Sequence, residues 1–262
     1  MIDPRIRDKD LYFGSNEGIF PLAIQARAEE KPKGTLVAIA GGMDGPLLLT
    51  AMQNPRIVRF VDADARQLKF AERKYHLACE DFSTYRRIFL GFTPVDLEEL
   101  KRLFPEEEPG FLSKLQVGDE KKSPISLRES YGSIFDWFGG SPFREAGGHA
   151  GLRNWERLRD TNVQRSVSFV NISLLASGVV SGEAPLVVYF SNVLDYLNPH
   201  NLDQVEEVAS HCDTGTVFYD ASNIKRSTGL PSTNLRRYSK EGFIERIRKK
   251  EGLHPSTNKG QI

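Results

Sequence analysis

Short apolar runs that end in glycine or in an acidic residue alternate along this chain with stretches whose apolar positions recur at helical spacing. LVAIA at 36–40 is closed by Gly41-Gly42, the pattern of a strand buried on both faces of a parallel sheet. Helical spacing follows over 46–52, with Pro46 suited to a first helical turn. A second strand is expected over 56–64 and a helix over 65–82. Strand, helix, strand and helix in such close succession predict right-handed parallel βαβ winding. The same rhythm predicts strands at 167–175, 185–197 and 215–222 and a helix at 199–211. Residues 28–34, charged and carrying a proline, read as a connector into the first strand. Between 83 and 165 the rhythm breaks: a helix near 94–104, a polar hinge at 118–124 and a glycine-rich aromatic stretch at 135–151 suggest an insertion covering the active site. The tail from Tyr238 to Gly252 is basic and amphipathic, as in a surface helix; recruitment to a membrane or a partner is the alternative. The expectation is an open α/β fold, a mostly parallel sheet with helices on both faces, in one domain spanning 1–262.

Composition narrows the class. Apolar residues make up 39% of the chain, enough for a substantial core, and 35 basic side chains balance 35 acidic ones. That balance argues against a dedicated nucleic-acid binder, which needs a basic face. Cys79 and Cys212 match no metal spacing and suggest a reduced, cytoplasmic setting. The five histidines are scattered, so no metal is expected. With no long apolar run and a charged N-terminus, neither a membrane span nor a signal peptide is expected.

In open α/β sheets ligands bind beyond the carboxyl ends of the strands, at the topological switch point. After the first strand, Gly41-Gly42-Met43-Asp44-Gly45 offers backbone that a ligand can approach closely. The spacing is not that of a dinucleotide or P-loop motif, which disfavours a pyrophosphate and an NAD-dependent dehydrogenase. Asp62 lies twenty residues beyond Gly42, about where an acidic residue accepts from the ribose hydroxyls of an adenosine-type cofactor. The alternative is that Asp62 and Asp64 only cap the next helix. Asn171, Ile172 and Ser173 end the next strand, where a polar side chain can meet an adenine amino group. Ser191-Asn192-Val193-Leu194-Asp195-Tyr196 would stand at the reactive end. There Asn192 and Tyr196 could orient an amine or line a cation, or serve as a helix cap and a core tyrosine. A binding module that keeps the fold without catalysis is also compatible with this pattern.

LYFGSN (11–16), the glycine turn and VDADARQLKFAERKYHLACEDF (61–82) resemble the betaine-lipid synthase family of S-adenosylmethionine (SAM)-dependent 3-amino-3-carboxypropyltransferases. The matching positions are Asp62, Gln67, Lys74 and Asp81-Phe82, with YFSNVLDYL and VFYDASN resembling the family's later segments. The resemblance implies a Rossmann-like class I SAM-dependent methyltransferase fold with a helical lid, residues 1–34 forming an N-terminal lid segment. It implies SAM as cofactor and substrate. Gly41, Gly42 and Asp62 would hold the nucleoside and Tyr12, Ser15 and Asn16 would fold over the methionine part, with Ala63, Gln67, Asn171, Ile172 and Ser191 also in the cofactor site. Asn192, Asp195 and Tyr196 would be catalytic. Attack at Cγ would release methylthioadenosine; with the cofactor's own amine as nucleophile the product would be azetidine-2-carboxylate. Small-molecule methyl transfer is the alternative. The expected partner is a small molecule or SAM alone, without nucleic acid or stable membrane association, and a homodimer stays open.

Overall fold

The computed structural model describes residues 34–85, 88–89, 96–107, 112, 158, 165–175, 180, 182, 186–191, 193–225 and 231–252. Six strands form one sheet: β1 Thr35–Ile39, β2 Ile57–Asp62, β3 Ser166–Asn171, β4 Leu186–Ser191, β5 Val217–Lys225 and β6 Pro231–Ser239. The helices are α1 Asp44–Gln53, α2 Ala65–Glu80, the short α3 Phe82–Tyr85, α4 Leu97–Leu103, α5 Pro199–His211 and α6 Lys240–Gly252. A 3-10 turn, Val193–Tyr196, follows β4.

The strand order is β3-β2-β1-β4-β5-β6. The first five strands run parallel, and β6 returns antiparallel along the full length of β5. This is the open, mostly parallel, Rossmann-like α/β sheet expected from the sequence, with its switch point where the order reverses between β1 and β4.

Alternation along the strands feeds two cores. Leu36, Ala38, Phe60, Val187, Tyr189 and Tyr219 pack with the buried residues of α1 and α2. Val37, Val61, Val188, Phe190 and Phe218 pack with α5 and with Phe243 and Ile247 of α6. Helices therefore cover both faces, which is why β1 and β4 are buried almost without interruption. On the second face the rings of Phe218 and Phe243 lie parallel with centroids 4.4 Å apart, and Phe190 stacks at 5.1 Å from Phe243.

Several boundaries differ from the sequence reading. The strand expected over 185–197 ends at Ser191, because a left-handed Ser191 and the 3-10 turn break it. The strand expected over 167–175 ends at Asn171. β6, carrying Asn234, Arg236 and Arg237, has no apolar alternation and was not anticipated; as an edge strand it needs little. The tail helix is amphipathic as expected, and its apolar stripe belongs to the second core. Most of 83–165 and nearly all of 1–34, with the lid roles expected for them, lie outside the described residues.

Candidate functional site

The loop after β1 is a tight turn. The Met43 N–H donates to the Ala40 carbonyl at 2.8 Å, and the Ala40 N–H reaches the Val61 carbonyl at 2.8 Å. Gly41 and Met43 take φ values of +40° and +67° before α1 begins at Asp44. A Cβ added at Gly41 would meet no heavy atom within 4 Å, whereas one at Gly45 would strike the Tyr189 hydroxyl at 2.4 Å. Two glycines of one loop thus serve different ends. Gly45 lets α1 sit on β4, and Gly41 leaves its backbone open to approach.

Asp62, at the carboxyl end of β2, reaches across to that turn. Its Oδ2 accepts from the Gly41 N–H at 3.3 Å and its Oδ1 from the Asp64 N–H at 2.9 Å. The carboxylate is held on two sides by backbone donors, yet the residue is only half-buried. Lone pairs remain for further donors. Burial pushes its pKa above the usual 3.8, opposed by the N–H groups of Asp64, Gly41 and Ala63. Asp64 has the other role foreseen for this pair: it caps α2, accepting from the Arg66 N–H at 2.8 Å. On β3, in register with Asp62, the exposed Asn171 donates its amide to the Asp62 carbonyl at 3.0 Å. Ala63 is exposed beside it, and Ile172 is half-buried against the second core.

Beneath the turn, α2 presents Gln67 and Lys74 on its buried face, among Leu68, Phe70, Ala71, Tyr75 and Ala78. Gln67 donates to the Gly41 carbonyl at 2.6 Å. Lys74 donates to the Gly42 carbonyl at 2.6 Å and to Asp44 Oδ1 at 2.7 Å. Lys74 and Asp44 are 0% and 1% exposed. The Tyr85 hydroxyl lies 3.4 Å from the same Asp44 oxygen, and the Phe89 ring covers the ammonium at 4.5 Å. Burial lowers the Lys74 pKa, and Asp44 opposes the shift. Gln67, expected among the cofactor-holding residues, is itself buried against the backbone of the turn. Asp44 stands in the glycine loop and Lys74 among the positions of the family resemblance, but neither spacing nor resemblance shows that the two pair beneath the turn. The available signal was a glutamine and a lysine at core positions of an amphipathic helix, where buried polar groups need partners.

Across the switch point, Ser191 ends β4 with φ +56° beside a register shift against β5 between Tyr189 and Ser191. A non-glycine residue in the left-handed region at this rim stores backbone strain of the kind found at functional sites. The 3-10 turn that follows is held by α6, whose Lys250 ammonium donates to the Leu194 carbonyl at 2.5 Å. Asn192 and the side chains of Asp195 and Tyr196 lie outside the described residues, as do Tyr12, Ser15 and Asn16. Among the described residues no cluster of three His, Cys, Asp or Glu side chains suits a metal ion. Nor is any helix there long and apolar enough to cross a membrane.

No family model matches the chain, and no curated protein matches it. Similar solved structures include two of the rRNA methyltransferase AviRa from Streptomyces viridochromogenes, at 14% and 15% identity with TM-scores of 0.44 and 0.42. Each alignment covers 87% of this chain and 84% of the other.

Proposed function

We propose that the chain binds SAM over the Gly41-Gly42 turn and against Asp62, and catalyses transfer of a group from it. The observation that carries this reading is the contact between Gly41 and Asp62, made at the carboxyl ends of β1 and β2 and beside the β1/β4 switch point. Open space over Gly41 accommodates a ligand lying on the backbone, and the half-exposed carboxylate, already oriented, suits the two hydroxyls of a ribose. Bound SAM supplies a sulfonium whose attached carbons are open to in-line attack. The task of the protein is placement, which can contribute on the order of 7–11 kcal/mol. Asp62 would fix the nucleoside, and Ser191 with the turn that Lys250 holds would form the rim facing the acceptor.

Methyl transfer to an acceptor is the first reading, since it asks only for a bound cofactor and an acceptor meeting the methyl group. Aminocarboxypropyl transfer, with cyclisation to azetidine-2-carboxylate as its acceptor-free form, is the second. One observation favours it: Asp62, Gln67 and Lys74, the positions matching the betaine-lipid synthases, all converge on the glycine turn.

Mass spectrometry of the pure protein incubated with SAM, alone and with candidate acceptors, separates these chemistries. S-adenosylhomocysteine in step with a methylated acceptor is expected for the first. Methylthioadenosine replaces it for the second, with an equimolar amino acid of azetidine mass if SAM alone suffices. A protein that neither binds nor consumes SAM would sink both.

A further inference from the structure

Both glycine carbonyls of the turn are held from α2 by side chains seven positions apart, which places them on one face of the helix. Because a trans peptide is planar, holding a carbonyl fixes the whole unit and turns its N–H away from the donor. Gln67 and Lys74 therefore set the orientation of the Gly41–Gly42 and Gly42–Met43 peptides, the backbone over which the proposed cofactor lies. For Gly41 a neutral amide suffices. Gly42 is held by an ammonium, a costly group to bury. What the ammonium adds is reach: with three donors it spans the Gly42 carbonyl and the Asp44 carboxylate together, tying the turn to the first residue of α1. Asp44 offsets the buried charge, and Tyr85 and Phe89 close off water.

We propose that Lys74 is a positioning residue of the cofactor site, presetting the glycine turn and so governing cofactor affinity without touching the cofactor. The inference rests on the SAM reading above. Lys74→Met alone would strand the Asp44 charge and risk unfolding, so the informative variant pairs Lys74→Met with Asp44→Asn. Tyr85→Phe is the control: it disturbs the same buried cluster but keeps the ion pair and the Lys74 donor to Gly42. SAM affinity is measured by calorimetry, folding by thermal melting, and amide exchange at 41–43 by mass spectrometry.

The control should keep SAM affinity within about threefold, while the double variant, still folded, loses on the order of tenfold or more, as supporting residues around ligand sites commonly do. Exchange at 41–43 should quicken in the double variant alone. A folded double variant that binds like the wild type overturns the proposal, and so does a control as weak as the double. Should the double variant not fold, Lys74→Met with Asp44→Leu, apolar at both buried positions, takes its place. Its reduced affinity supports the role, and unchanged affinity overturns it. Wild-type protein without SAM affinity overturns the function reading instead, and this inference with it, before any variant is compared.

Discussion

Asp62 spends one carboxylate oxygen on the Gly41 N–H and the other on the Asp64 N–H, so its orientation is set before any ligand arrives. Two residues later Asp64 spends its side chain on the first turn of α2. Nothing in the stretch VDAD separates the two roles, because both residues are acidic and stand at the same strand-to-helix junction. The partner that separates them lies 21 positions away in the chain. Burial of Asp62 raises its carboxyl pKa, with a definite sign for stability. Ionising the group costs the folded state more than the unfolded one. The associated stability is fully present below the usual 3.8 and is lost as pH rises through the raised folded value. Asp62→Asn should therefore gain on the wild type in urea midpoints as pH climbs through that window, then run parallel to it. Its SAM affinity should fall on the order of tenfold or more, by analogy with other charge-assisted hydrogen bonds. A pH-independent difference in midpoint, or undiminished affinity, would remove Asp62 from this role.

At the scale of elements, α6 is both a core helix and a brace. Phe243 is fully buried in the stack with Phe190 and Phe218, and Ile247 lies one turn on. From the same helix Lys250 reaches the Leu194 carbonyl of the 3-10 turn, and Arg248 pairs with Glu206 of α5 at 2.6 Å. Truncation of Phe243 to alanine should cost about 3–5 kcal/mol, as for a large aromatic removed from a packed site. Equilibrium urea unfolding measures it, and a loss below about 1 kcal/mol would mean that α6 is not part of the cooperative core. The amphipathic stripe of this helix was readable because period 3.6 is a local property. β6, which leads into it, was not, since an edge strand with Asn, Arg and Arg in place of alternating apolar residues carries no such local period.

For the whole molecule, the β3-β2-β1-β4-β5-β6 order sets the loops of β1 and β4 side by side although about 150 residues separate them. Gly45 against Tyr189 is the packing contact that closes this approach. SAM at roughly a hundred times its dissociation constant should stabilise the fold by about 2.7 kcal/mol. Protection from amide exchange should concentrate at 41–43 and 62–64. A thermal shift without protection at those segments would locate the ligand elsewhere, for example at the groove of about 310 Å³ beside Lys69, Arg73 and Phe104.

Local pattern by itself determined the βαβ rhythm, the strand ends at which to look for a site, the glycine turn and the acidic residue beyond the second strand. Each is written in neighbouring residues, in periods of two and 3.6 and in the backbone freedom of glycine. Only the tertiary structure decided which aspartate faces the turn and that Gln67 and Lys74 hold its two glycine carbonyls. It also decided that Ser191 ends β4 in a left-handed conformation and that a polar segment closes the sheet. Those outcomes depend on what the winding brings opposite each residue, at separations of 21 to 32 positions for the bonds around the turn. No local period encodes a partner at that distance.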